Sequence, residues 1–378
     1  MKTIGFVSYA DPYHDRKAWS GTIYKLRESI NNAGFSVLWI PVKPNKYLVK
    51  LLNLLFKILL GRDKKCTLTD VYFKLCAKSV DLTLINRCDF LFFPGGAQIA
   101  NHLKLNIPYI FFGDSTFKIM KDYYIFGLPS FLIDSIEQSE KIAIQNSAIN
   151  IRASKWAIDS VINDYGYDEQ KAFVLEIGPN LDKNNIVSST EYQGGTLNVL
   201  FSGVEWERKG AAIAIDTVRI LNRKGVSAKL FLCGIPQDMI PHEYQNSPFV
   251  EYIGFLNKNN AMEYCQYIDI IKKSHLFLLP TKAECAGVVF SEASAYALPI
   301  FTYDTGGIPN YVVNGLNGFR LPLHSSAQEF ATKILFVINN NLISQLRLGC
   351  IKMYKERLNW EVWSNSFRKI VDDNLCVL

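Results

Sequence analysis

The chain is short of the residues that mark metal, disulfide or export chemistry. Its eight cysteines, Cys66, Cys76, Cys88, Cys233, Cys265, Cys285, Cys350 and Cys376, include no CxxC pair, and most lie inside apolar stretches such as "LFLCG". That pattern fits a reduced, cytoplasmic protein better than a disulfide framework or a zinc site. The five histidines, His14, His102, His242, His275 and His324, lack metal-ligand spacing, and only His14 is expected beside a ligand cleft. The N-terminal "MKTIGFVSYAD" has no long apolar core and no small-residue cleavage site, so no signal peptide is expected. No uninterrupted apolar run reaches the ~20 residues of a membrane span. Charge of one sign is also scarce: 41 Lys+Arg against 35 Asp+Glu leave +6. Such a balance does not imply nucleic acid, and it suits anionic ligands or an anionic membrane surface.

What the chain does have is repetition. Its 378 residues, 49% hydrophobic, suffice for two domains with separate cores. Apolar runs end in glycine or turn residues and are followed by helical patterns: "TIGFVSYA", "FSVLWIPV", "CDFLFFPG", "PYIFFGD", "AINIRAS" and "KAFVLEIG" in the first half. "LNVLFSGV", "AKLFLCG", "HLFLLPT" and "LPIFTYDTGG" follow in the second. Non-alternating apolar strands between helices predict parallel sheets covered on both faces. The polar, glycine-ended "VSSTEYQGG" (187–195) reads as a linker. The expected division is a first domain over 1–190, a second over 191–357, and a terminal helix over 358–378. That helix either completes the second domain or returns to the first.

The stretch "ECAGVVFSE" places Glu284 and Glu292 in small, apolar surroundings between a strand and a helix. Acids there need partners. Gly287 would let backbone approach a ligand, and the free N–H groups of the following helical turn suit a diphosphate. The plainer reading makes Glu292 a helix-start acid and Glu284 a surface acid. "WERKG" puts Arg208 and Lys209 at a helix start, where cations oppose the helix dipole. They read either as exposed cations awaiting an anion or as a solvated basic turn. "AWSGT" offers Ser20 and Gly21 as a loop near a ligand or as an ordinary N-cap and turn. "FFGDSTF" offers Asp114 as a strand-end carboxylate or as an N-cap or Asx turn.

Together, "E-x7-E", "FSGVEWERKG", "IRASKWA", "WSGT" and "FFGDSTF" resemble retaining glycosyltransferase family 4, over most of the chain. The last two resemble a bacterial branch of it. The resemblance implies the GT-B fold, an α/β architecture of two Rossmann-like domains whose parallel sheets face each other across a cleft. It implies that Glu284 lies beside the transferred sugar and Glu292 binds the ribose, while Ala286, Gly287, Val288 and Val289 line the sugar and diphosphate. Ser202, Gly203, Gly254 and Phe255 would complete the donor site, Arg208 and Lys209 would face the diphosphate, and Asp114 would assist at the reacting end. The sequence departs from the family in two places. Val204 stands where an arginine is usual, with Arg208 read as its substitute, and Asp114 stands where many relatives carry histidine.

The expected activity is therefore transfer of a sugar, with retention, from a nucleotide diphosphate sugar to a hydroxyl of a glycan or lipid-linked acceptor. Bacterial envelope polysaccharide or lipopolysaccharide synthesis is the expected setting, with no metal, no other cofactor and no nucleic-acid partner. The rivals are a GT-B sugar-nucleotide epimerase or phosphorylase, and a non-catalytic nucleotide-sugar-binding subunit. One stretch stands outside this scheme: "YLVKLLNLLFKILLGRDKK" (47–65), apolar with a polar stripe at Lys50, Asn53 and Lys57. It reads either as a helix in the first domain's core or as an interfacial helix on an anionic inner membrane.

Overall fold

The computed structural model describes residues 1–61 and 65–375. The chain forms two units, Met1–Leu175 together with the stretch from Ser364 onward, and Glu176–Trp363. Each is built on one parallel, six-stranded sheet.

In the first unit the strands are β1 (Thr3–Ser8), β2 (Ser36–Pro41), β3 (Phe90–Pro94), β4 (Tyr109–Gly113), β5 (Ile149–Arg152) and β6 (Ala172–Val174). Their order across the sheet is β2-β1-β3-β4-β5-β6. The apolar runs of β1, β3 and β4 are buried because helices cover both sheet faces. On one face Phe6, Phe92 and Phe112 stack across the three strands, with ring centroids 5.5 and 6.0 Å apart. The last helix, Trp360–Leu375, starts in the second unit and brings Phe367 onto this stack. Phe367 is fully buried, 5.8 Å from Phe92 and 5.9 Å from Phe35. Arg368 donates to the Ala33 carbonyl on the same side.

The second unit contains β7 (Leu197–Ser202), β8 (Ala228–Cys233), β9 (Val250–Gly254), β10 (Leu276–Leu279), β11 (Ile300–Tyr303) and β12 (Gly318–Leu321), ordered β12-β11-β10-β7-β8-β9. The apolar runs do not reveal β9 and β12. Both are edge strands: every residue of β9 is half-exposed, and the inner two of β12 are. The division at 190/191 falls inside this unit. Residues 176–190 are tied to it by hydrogen bonds: the Ile177 N–H donates to the Tyr311 hydroxyl (3.0 Å), and the Ser291 hydroxyl donates to the Ile177 carbonyl (2.7 Å). The Ser189 and Thr190 N–H groups donate to the Tyr296 and Lys272 carbonyls (2.9 and 2.8 Å).

No single helix among the described residues is long and apolar enough to cross a membrane. Of the stretch 47–65, residues 62–64 lie outside the described set, and the helix runs Lys46–Leu60. It is not a core helix, because none of its residues is buried. The polar stripe is also divided: Asn53 turns inward and accepts from the Cys66 thiol at 2.5 Å, while Lys50 and Lys57 stay exposed.

The returning helix gives a stability test. Phe367→Ala removes a fully buried ring from the first unit and is expected to cost about 3–5 kcal/mol. Denaturant unfolding read through the first unit measures this, with the exposed Lys369→Ala as reference. Equal midpoints for the two variants would show that the helix is not held by this ring.

Candidate functional site

Strand order locates the second unit's site. In sequence order the sheet reads third, second, first, fourth, fifth, sixth, so connections leave β7 and β10 in opposite directions. In open α/β sheets such a reversal, beyond the C-terminal ends of the two strands, is where ligands bind. The two loops found there carry Arg208 with Lys209, and Glu284 with Gly287.

The first loop folds into a single helical turn, Trp206–Lys209. The chain breaks at Gly210, whose φ is +73°, before the helix Ala211–Arg223 begins. A Cβ on Gly210 would stand 2.2 Å from the Pro280 carbonyl oxygen, so glycine lets this turn lie over the end of β10. Gly203 serves the same closeness, since a Cβ there would meet the Lys209 stem at 2.9 Å. The Lys282 N–H donates to the Arg208 carbonyl (2.7 Å), which binds the two loops together.

Across this junction Lys209 donates its ammonium to Glu284, and Arg208 stands 3.9 Å from the same carboxylate oxygen. Arg208 also donates to the Ala283 carbonyl (2.9 Å) and grips Glu205 through Nε (3.0 Å) and Nη2. Those bonds hold the Glu205 carboxyl below the usual carboxylate range. The two cations are therefore not the exposed groups the sequence suggests: Lys209 is buried and the Arg208 side chain is 21% exposed. They stand at the end of this short turn and not at a helix start, because the chain breaks at Gly210, and Glu205 and Glu284 compensate them locally. Val204, in contrast, is exposed and supplies no charge.

Glu292 faces other partners. It is 2% exposed, on the helix Val288–Ala295, and accepts from Lys258 Nζ (2.5 Å) and the Tyr267 hydroxyl (3.0 Å). Tyr267 reaches Ser202 at the end of β7 (3.2 Å). Burial, and then the Glu292 carboxylate, push the Tyr267 phenol well above its usual range, so it stays a proton donor. Glu292 is thus neither exposed nor a simple helix-start acid. Lys258 and Tyr267 were not legible as site residues, since "NKNN" and "EYCQYIDI" carry no motif; their signal is only three-dimensional.

Ala286 and Gly287 are buried, while Val288 and Val289 are half-buried at the start of that helix. Gly287 has φ +62°, and a Cβ there would stand 2.4 Å from the Phe290 ring. The ring on its own helix therefore suffices to require glycine at 287. Gly254, at φ +73°, accepts from the Gly234 N–H (2.7 Å), and Phe255 beside it is exposed.

In the first unit Asp114 follows β4 and accepts from Trp19 Nε1 at 3.1 Å. Trp19, Ser20 and Gly21 are successive left-handed residues, with φ 49°, 57° and 92°. For the first two that conformation costs on the order of 1–2 kcal/mol each. The ordinary N-cap readings do not hold. The helix Thr22–Asn32 is capped by Gly21 with no side-chain bond, and Thr116, not Asp114, caps Phe117–Met120. Behind Asp114, Arg152 is fully buried over the Phe111 ring, 4.1 Å from its centroid. Burial lowers the guanidinium to about 10, opposed by the Glu140 and Asp114 carboxylates. Gly113 makes room for it, since a Cβ there would lie 2.3 Å from Arg152 Nη1. His14 pairs with Asp11 at 2.9 Å and is largely exposed.

Comparison with known proteins agrees with this architecture. Residues 182–357 match the family model described as "Glycosyl transferases group 1". An uncharacterized glycosyltransferase of Methanocaldococcus jannaschii is 23% identical over 233 residues, a match that spans 62% of either chain. Among solved structures, sucrose-phosphate synthase from Thermosynechococcus elongatus superposes with a TM-score of 0.73 over the full length of both chains, at 13% identity. Anabaena HepE, solved in complex with UDP and glucose, superposes at 0.65 over 98% of this chain and 100% of its own, at 14% identity. The chain has the GT-B fold, and its residues 182–357 are similar to the group 1 glycosyl transferases.

Proposed function

We propose that the protein transfers a sugar, with retention of configuration, from a nucleotide diphosphate sugar to a hydroxyl of a glycan or lipid-linked acceptor. The setting proposed is cytoplasmic synthesis of a bacterial envelope polysaccharide or lipopolysaccharide, in line with the "WSGT" and "FFGDSTF" resemblance. The observation that carries the reading is the Lys209–Glu284 pair, with Arg208 beside it, bridging two loops at the strand-order reversal.

As the bond from the sugar's anomeric carbon to the diphosphate oxygen breaks, positive charge grows on the sugar and negative charge on the leaving group. Lys209, Arg208 and the N–H groups at Val288 and Val289 are assigned to the leaving diphosphate. Glu284, already paired to Lys209, is assigned to the sugar, so the same carboxylate–ammonium pair meets both developing charges. The acceptor oxygen bonds to the anomeric carbon from the face the diphosphate leaves, and its proton passes to the departing phosphate. Retention then needs no enzyme nucleophile and no metal. Glu292, held by Lys258 and Tyr267, is assigned to the ribose. Asp114 and the Ser20–Gly21 loop are assigned to the acceptor.

A panel of nucleotide diphosphate sugars, with release of nucleoside diphosphate as readout in the presence of EDTA, tests the reaction class. Binding at 100 times Kd is expected to stabilise the protein by about 2.7 kcal/mol in a thermal shift. Lys209→Ala is expected to lower turnover on the order of 100-fold or more. It also leaves Glu284 without its buried partner, so some loss of stability accompanies it. Normal turnover in Lys209→Ala would remove the assignment.

The two glutamates are expected to fail differently. Glu284→Gln removes the group that competes with phosphate for Lys209, so free nucleoside diphosphate binding is expected to hold or tighten while kcat falls. Glu292→Gln weakens contacts to a part of the donor that does not react, so the donor KM is expected to rise and free nucleotide binding to weaken. Calorimetry with the free nucleotide and donor-dependent kinetics separate the two. Comparable loss of nucleotide binding in both variants would show that this division of roles is wrong.

A further inference from the structure

We propose that the helix Lys46–Leu60 is an interfacial anchor that docks the first unit on an anionic lipid surface. The proposal is independent of the donor chemistry. The residues of this helix divide cleanly by exposure. Val49, Leu52, Asn53, Phe56 and Leu60 are half-buried, at the i, i+3, i+4, i+7, i+11 spacing of one helix face. Phe56 and Leu60 pack against the small cluster of Phe117, Leu132 and Ile136. With the Cys66–Asn53 bond, that contact attaches the helix by this one face.

The opposite face is apolar and open. Leu51, Leu54, Leu55, Ile58 and Leu59 are 53%, 53%, 46%, 70% and 75% exposed. At about 100° per residue these positions fill an arc of roughly 140°. The patch extends beyond the helix. Ile125 and Leu128 pack against the same small cluster as Phe56 and Leu60, and on that neighbouring segment Phe126 and Phe131 are 58% and 67% exposed. An open apolar surface from two segments of the chain is more than scattered exposed leucines.

Charge selects the occupant. Lys46, Lys50 and Lys57 lie within about 40° of one another along one edge of the apolar arc, and all three are exposed. No acidic residue occurs from Lys46 through Arg62. A second copy of this chain on the same helix would set lysines against lysines, with no helix carboxylate to answer them. Anionic headgroups above acyl chains match both parts: apolar side chains enter the acyl boundary while lysines reach phosphate.

Flotation of the full chain with vesicles tests the assignment. The protein is expected to bind phosphatidylcholine vesicles containing about one-third phosphatidylglycerol at low salt, to bind pure phosphatidylcholine weakly, and to release as salt rises. Replacing Lys46, Lys50 and Lys57 together by Gln is expected to weaken binding on the order of 100-fold, about five-fold per charge. Ile58→Glu with Leu59→Glu is expected to abolish it. Since no helix residue is buried, both variants should melt like the parent, which distinguishes lost docking from lost folding. Indifference to anionic vesicles at low salt overturns the proposal, as does equal binding to both vesicle types. A stable dimer in solution that Ile58→Glu dissolves would assign the face to a second copy and overturn it as well.

Discussion

The arrangement of the second unit follows from one topological constraint: parallel strands must be joined by crossovers, and the crossovers change direction once. With β7 and β10 adjacent, their following loops leave toward opposite faces of the sheet. Whatever those loops carry is presented together, although 75 residues separate Lys209 from Glu284. The glycines then make sense as spacing devices. Gly210 and Gly203 allow one loop to close against Pro280 and against its own lysine stem, at separations where a methyl group would collide.

Closeness alone would be costly, because it encloses two cations, Arg208 and Lys209, at the junction of the two loops. The structure meets that cost by local compensation, with Glu205 on Arg208 and Glu284 on Lys209. Removal of either partner leaves a charge without an answer in poorly solvated surroundings. Under the proposed function this compensation means that a diphosphate competes with the Glu284 carboxylate for Lys209 instead of meeting bare positive charge. Glu292 follows the same rule, with Lys258 and Tyr267 holding both of its oxygens.

Much of this was legible in the sequence, for a physical reason in each case. Buried parallel strands must be apolar on both faces, so β1, β3, β4, β7, β8, β10 and β11 stand out as apolar runs. The edge strands β9 and β12 keep half-exposed positions and include Glu251 and Arg320, which hides them. The loops after β7 and β10 were visible through residue types that are unfavourable without partners. The partners themselves were not: Lys258 is an ordinary loop lysine until the fold places it 2.5 Å from Glu292. The polar run 187–195 misleads for the opposite reason, since its polarity serves hydrogen bonds within the second unit as well as solvent. Exposure of Arg208 and Lys209 was likewise misjudged, because local sequence does not show what lies over a loop.

The first unit treats charge and apolarity in the reverse manner. Arg152 is a full charge in the interior, and none of its three guanidinium nitrogens makes a hydrogen bond among the described residues. It is retained over an aromatic ring, with the Glu140 and Asp114 carboxylates opposing the effect of burial. Helix Lys46–Leu60 instead exposes a continuous apolar face that folding does not require, since one narrow edge already attaches it. Exposed apolar area of this kind gains nothing in water, and it increases the tendency to associate. The buried arginine is answered inside the unit, by Glu140 and Asp114, whereas the open helix offers an apolar surface edged with lysines that stays exposed.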